Sequence, residues 1–203
     1  MSRSCSDSVI TLHSAAAPVL EAASPAVRPF DSRDLERLFR QAFHAEFDTV
    51  LCGGGDEPIY LAGPPARIIY TRDYFRSALH EVAHWCVAGT ARRRQDDYGY
   101  WYAPDGRDVA QQRLFEQVEV APQALELLFC AACGHRFRVS VDNLDGGAAD
   151  ERAFREAVLA AALARLGTLN PASQRWARWL AVLSDFYRGG AAVTEAAVQA
   201  VLR

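Results

Sequence analysis

Apolar residues recur at Phe75, Leu79, Val82 and Cys86, a spacing that lays one stripe along a helix of 3.6 residues per turn. Residues 73–89 are therefore predicted to be helical, with Asp73 or Ser77 capping the start and Gly89 closing the end. A second amphipathic pattern, Leu35, Leu38, Phe39, Ala42 and Phe43, predicts a helix capped by Asp31 or Ser32. Residues 59–61 and 67–71 are short β-type runs parted by Gly63-Pro64-Pro65, which predicts a small sheet. The glycine-rich stretch 52–58 reads as a turn. Residues 107–118 read as a helix, and Pro122 sets either a kink or the start of a further helix through 133. The last third predicts helices at 150–166, 171–188 and 191–202, broken at Asn170-Pro171 and Gly189-Gly190. No internal repeat is visible.

Residues 1–30 have no period and are rich in Ser, Ala and Pro, as expected of a flexible extension. His13, Ser14 and Pro18 interrupt any apolar core, so no signal peptide is expected. Residues 31–203 are expected to form a single domain of the α+β class, a small sheet backed by the 73–89 helix with a helical C-terminal part. With 50% hydrophobic residues the chain can bury a sizeable core.

Composition removes several chemistries. All 22 cationic residues are arginine and no lysine is present. A Schiff base, a pyridoxal-phosphate site and a Walker-type phosphate loop each need a lysine and are excluded. The net charge of −3 gives no footprint for direct nucleic-acid binding, and no apolar run reaches membrane-spanning length. Five cysteines, an odd number and spread widely, fit a cytoplasmic protein. Cys130 and Cys133 sit in an apolar helical end and read as buried small hydrophobes. Residues 142–146 resemble part of a calcium loop, but Leu144 stands where an oxygen ligand belongs and Ala153 where the closing Glu should fall.

The chemistry concentrates in His80-Glu81-Val82-Ala83-His84. Two histidines four apart point from one helix face, one turn apart, and can grip a single metal ion. A complete site needs a third protein ligand. His13, His44 and His135 lack a ligand context, so a carboxylate from Glu116, Glu119 or Glu126 is the better candidate. Glu119 lies between Val118 and Val120, where an acid is costly unless paired or metal-bound. It is the expected third ligand, with Glu116 next. Two histidines and a carboxylate describe both a non-haem Fe(II) oxygenase and a zinc peptidase in which Glu81 is the general base. Ligand identity alone leaves both open, and a metal-stabilised binding module is a third reading. The run Tyr98-Gly-Tyr-Trp-Tyr-Ala-Pro-Asp-Gly-Arg-Asp108 places aromatics beside a Pro-Asp-Gly turn. It reads as core or as a substrate pocket with Asp105 and Arg107 as polar contacts. Arg92-Arg93-Arg94 reads as a solvated face or a docking patch.

Five segments together, 55–61, 77–89, 98–108, 115–125 and 139–144, closely resemble the bacterial elongation factor P hydroxylases, and the similarity runs from about residue 33 to 188. That resemblance implies hydroxylation of the β-lysyl-lysine side chain of elongation factor P, the final step of that factor's modification. It implies a zincin-like fold and a non-haem Fe(II) centre with ligands His80, His84 and Glu119. Dioxygen would be co-substrate, and the reductant is not readable from the chain. Glu81 would then orient a ligand instead of activating water. The partner would be β-lysylated elongation factor P, whose amines are cationic. Asp105 or Asp56 would bind an ammonium, and Tyr100, Trp101 or Tyr102 would hold it against a ring face.

Overall fold

The computed structural model describes residues 29–99, 109–140 and 151–202. The described chain enters α1, Ser32–Phe39, which widens into a π-helical turn, Arg40–His44, and a short α2, Ala45–Phe47. Asp31 is the cap, accepting from the Arg33 backbone N–H at 2.9 Å. A three-stranded sheet follows: β1 Thr49–Gly55, β2 Ile59–Leu61 and β3 Ala66–Thr71. The strand order is β1-β3-β2, with β1 parallel to β3 and β2 antiparallel to it. Helix α3, Phe75–Val87, packs on β3 and on the long helix α4, Val109–Cys133. Helices α5 Glu151–Leu166, α6 Arg175–Arg188 and α7 Glu195–Val201 surround α4. The class is α+β, as the hydrophobic pattern predicts. Among the described residues no helix is long and apolar enough to cross a membrane.

Of the turn expected at 52–58, residues 52–55 belong to strand β1 and the turn is confined to 56–58. The glycines serve close packing as well as bending. A Cβ on Gly53 would lie 2.6 Å from the Arg72 carbonyl oxygen and 2.8 Å from the Tyr70 hydroxyl. Only glycine lets the end of β1 lie that close to β3.

Helix α3 is held by its apolar back. Trp85 is fully buried against Phe39, Phe43 and Phe47, with ring centroids 5.0 to 5.2 Å apart. Ala78, Leu79, Val82 and Ala83 are also fully buried, so His80, Glu81 and His84 are left to the other side. Neither Asp73 nor Ser77 caps the helix. Tyr74 is the N-cap residue without a side-chain bond, and Ser77 Oγ accepts from the Thr71 N–H instead. The C-terminal end is capped from a distance, which no local pattern could show. Arg175 of α6 donates to the carbonyls of Trp85, Cys86 and Ala88 at 3.0, 3.0 and 2.7 Å, and its guanidinium lies 4.6 Å from the Trp85 ring centroid. A cation there satisfies carbonyls that lack helical partners. Arg175→Met is expected to cost about 2 kcal/mol, a fall in Tm of roughly 4–8 °C for a chain this size, measured by thermal unfolding of the metal-free protein.

Helix α4 continues through Pro122 as a single element. Residues 124–133 are buried on every side, as expected of a helix enclosed by neighbours. Cys130 and Cys133 are free thiols in this stretch, 0% and 5% exposed. Gly134, at φ +77°, ends the helix while the His135 N–H returns to the Cys130 carbonyl. Helices α6 and α7 start after the predicted points. Asn170 Oδ1 accepts from the Ala172 N–H and holds a turn before α6, and Thr194 caps α7.

Candidate metal centre

Arg76, His80 and His84 form one stripe along α3, four residues apart. Glu119, Gln123 and Glu126 form the facing stripe along α4. The stripes run in opposite directions, so Arg76 meets Glu126 and His84 meets Glu119. His80 Nε2 lies 3.0 Å from His84 Nε2. Glu119 offers Oε2 at 3.7 Å from His80 Nε2 and Oε1 at 3.4 Å from His84 Nε2. One atom of each residue falls within 4.8 Å of the others. Glu116 is not in this group: it accepts from Gln112 Nε2 at 3.1 Å.

The donor set fits a cation. Two nitrogens each about 2.1 Å from one ion lie roughly 3.0 Å apart at an octahedral edge and about 3.4 Å at a tetrahedral one. The separations around His84 match that range. Without a cation, two ring nitrogens and a buried carboxylate face one another and need a shared proton.

Glu126 sets which nitrogen of His80 is offered. Its Oε2 accepts from His80 Nδ1 at 2.9 Å, which leaves Nε2 to face His84 and Glu119. Its Oε1 accepts two bonds from Arg76, at 2.9 and 2.7 Å. Arg76 in turn donates to the Arg138 carbonyl. Glu119 is steadied by Gln123, whose Nε2 lies 3.4 Å from Oε2. The Gln123 amide also pairs both ways with the Ser140 backbone. Sequence reasoning offered Glu126 only as a possible ligand. The signal it missed is the seven-residue step from Glu119, two turns along the same face.

Charge follows geometry. Burial opposes protonation of His80, but the bond to Glu126 and the charges of Glu126 and Glu119 outweigh it and raise its pKa to about 10. Burial and the neighbouring His80 cation hold His84 well below its ordinary value. Burial, with Glu119 and Glu126 nearby, lifts Glu81 to about 7. In the metal-free fold His80 therefore carries the proton that an ion must displace. Its raised pKa stabilises the metal-free fold below its ordinary 6.5, a contribution lost as pH rises through about 10. Metal affinity is expected to rise about tenfold per pH unit across that window. At about pH 8.5, where Glu81 is already ionised, about one proton should leave per ion bound. Calorimetric titration with Zn(II) in buffers of different ionisation heat measures both.

A cavity of about 250 Å³ opens beside His84, walled by Val87, Ala88, Arg92, Tyr98, Val118 and Pro122 among others. Pro122 has no N–H to give the Val118 carbonyl, so the helical interruption falls on the cavity wall. Asp56 is exposed at the turn between β1 and β2 and is not among the residues gathered at the centre. Tyr100, Trp101, Tyr102, Asp105 and Arg107 lie outside the described residues.

Comparison with known proteins accords with the sequence resemblance. The family model described as elongation factor P hydroxylase matches residues 38–197. The elongation factor P lysine hydroxylase of Haemophilus influenzae is 50% identical over 129 residues, 62% of this chain and 72% of that protein. The chain belongs to the elongation factor P hydroxylase family.

Proposed function

We propose that this chain hydroxylates the β-lysyl-lysine side chain of elongation factor P, the last step of that factor's modification, at a non-haem iron centre held by His80, His84 and Glu119. The observation that carries the proposal is the convergence of those three side chains, with Glu126 fixing the His80 tautomer, in a member of this family. The HExxH helix on a small sheet, with a carboxylate from the next long helix, supports a zincin-like reading of the fold.

A bound ferrous ion would supply the activation of dioxygen that an unactivated C–H bond requires. The chain's own contribution is position and shelter. Glu126 engages His80 Nδ1, so Nε2 is the atom presented toward the ion's place, and Gln123 steadies the Glu119 carboxylate. Val87, Ala88, Val118 and Pro122 give the cavity an apolar wall that excludes water from the alkyl part of a lysine-type side chain. The proposed compartment is the cytoplasm, where the substrate factor acts.

The test is the intact mass of β-lysylated elongation factor P after aerobic incubation with the protein, Fe(II) and a reductant. Wild type should add one oxygen atom and His80→Ala none. No gain from an iron-loaded, folded wild-type protein would remove the proposal.

A further inference from the structure

We propose that the segment Arg138–Ser140 is a positioning brace for the metal centre. Its backbone ties together the supports of His80 and of Glu119, so that seating of the segment and binding of an ion are linked. The inference rests on the centre formed by His80, His84 and Glu119, whatever reaction that centre carries out.

The two supports come from different helices and end on the same three residues. From α3, Arg76 Nη2 lies between two acceptors, 2.7 Å from Glu126 Oε1 and 2.7 Å from the Arg138 carbonyl oxygen. From α4, Gln123 pairs with both backbone groups of Ser140. Its Oε1 accepts from the Ser140 N–H at 3.0 Å, and its Nε2 donates to the Ser140 carbonyl at 2.7 Å. Arg76 leads through Glu126 to His80 Nδ1. Gln123 leads to Glu119 Oε2.

Ser140 decides what Gln123 presents to Glu119. Gln123 is 1% exposed, so its amide must find partners within the protein. The Ser140 N–H needs an acceptor, which draws Oε1 toward it and turns the NH₂ group toward the Ser140 carbonyl. The second hydrogen of that NH₂ is then left for the Glu119 carboxylate. A reversed amide would set donor against donor at the Ser140 N–H and oxygen against carboxylate at Glu119. The paired backbone admits one orientation only. On the other helix, the Arg138 carbonyl takes a donor of Arg76 Nη2 beyond those that meet Glu126. It thereby holds the guanidinium on Oε1 and leaves Oε2 to His80.

The segment is anchored away from the centre. Phe137 is 1% exposed, its N–H donates to the Val201 carbonyl at 2.9 Å, and its ring centroid lies 5.4 Å from Arg76 Cζ. Arg155 holds the end of α7 by donating to the Leu202 carbonyl at 2.9 Å. An ion that fixes His80 and Glu119 therefore favours the seated segment, and the seated segment favours the ion by the same factor.

The test uses the full chain, with Zn(II) titration for affinity and Co(II) visible absorption for the geometry around the ion. Ser140→Pro removes the N–H that orients Gln123 and leaves every ligand in place. It should lower Zn(II) affinity about tenfold or more and shift the Co(II) bands. Ser140→Ala keeps both backbone groups and should stay within about threefold of wild type, with unchanged bands. Asp31→Ala, which removes the cap of α1, should lower Tm by about 2–4 °C and leave affinity and bands as in wild type; it separates lost stability from a lost brace. The segment is also read without substitution. Arg136 and Arg138 are exposed, as is Arg33 in the first turn of α1. Saturating Zn(II) should slow tryptic cleavage after Arg136 and Arg138 about tenfold more than cleavage after Arg33. Should Ser140→Pro not fold, this cleavage measurement decides alone. Unchanged Zn(II) affinity in folded Ser140→Pro, equal losses in Ser140→Pro and Asp31→Ala, or no selective protection at Arg136 and Arg138 would each overturn the brace. Because none of these readouts needs turnover, a chain that gives them as expected but adds no oxygen would sink the hydroxylase reading and leave the brace standing.

Discussion

Glu119→Ala is expected to lower metal affinity by more than about 100-fold and to abolish hydroxylation, while Glu116→Ala leaves both within about threefold. The contrast is sharp because the two acids stand three residues apart on one helix. Only Glu119 reaches the histidines, at 3.4 and 3.7 Å. It is 4% exposed and steadied by Gln123. Glu116 is engaged by Gln112. Zn(II) or Fe(II) titration of both variants, with circular dichroism to show that each is folded, reads the difference directly. Equal losses in the two variants would move the third ligand away from Glu119.

Glu126→Gln is expected to reduce metal affinity by about 10- to 100-fold although Glu126 itself is not proposed to touch the ion. The reason is the number of lone pairs. A carboxylate accepts on both oxygens, from Arg76 on one and from His80 Nδ1 on the other. A glutamine has one oxygen and one NH₂ group. If the oxygen keeps Arg76, the NH₂ faces His80 Nδ1, and the imidazole must carry its proton on Nε2, the atom that faces His84 and Glu119. If the oxygen turns to His80, Arg76 is left against a donor in a pocket where Glu126 is 2% exposed. Removing one partner of such a pair costs about 3 kcal/mol, less whatever the partly exposed Arg76 recovers from water. Metal titration combined with thermal unfolding separates the tautomer effect from the loss of stability. Unchanged affinity with lowered stability would make Glu126 a structural ion-pair partner only.

The two histidines were legible because a helix fixes which residues share a face, and the pattern around Leu79 and Val82 is helical on its own. Glu119 was legible from its neighbours, since an acid between Val118 and Val120 needs a partner. The roles of Arg76 and Arg175 were not legible. Arg76 meets Glu126 from 50 residues away, and Arg175 reaches the end of α3 from about 90; only packing brings them together. Strand β1 was hidden because consecutive glycines suit a turn and a close strand contact equally well. The left-handed backbone of Asp97 and Tyr98, at φ +46° and +57°, was hidden for a related reason: Asp tolerates that region but Tyr does not favour it, and the side-chain bonds of Asp96 and Asp97 to β2 hold the segment.

The most direct measurement is the source of the added oxygen. β-Lysylated elongation factor P would be incubated with the Fe(II)-loaded protein and a reductant under isotopically heavy dioxygen in ordinary water, and its intact mass and fragment masses recorded. The account predicts one heavy oxygen atom on the modified lysine side chain, absent with Glu119→Ala. Oxygen of ordinary mass, or a cleaved substrate without added oxygen, would show water as the reactant and contradict an oxygenase at this centre.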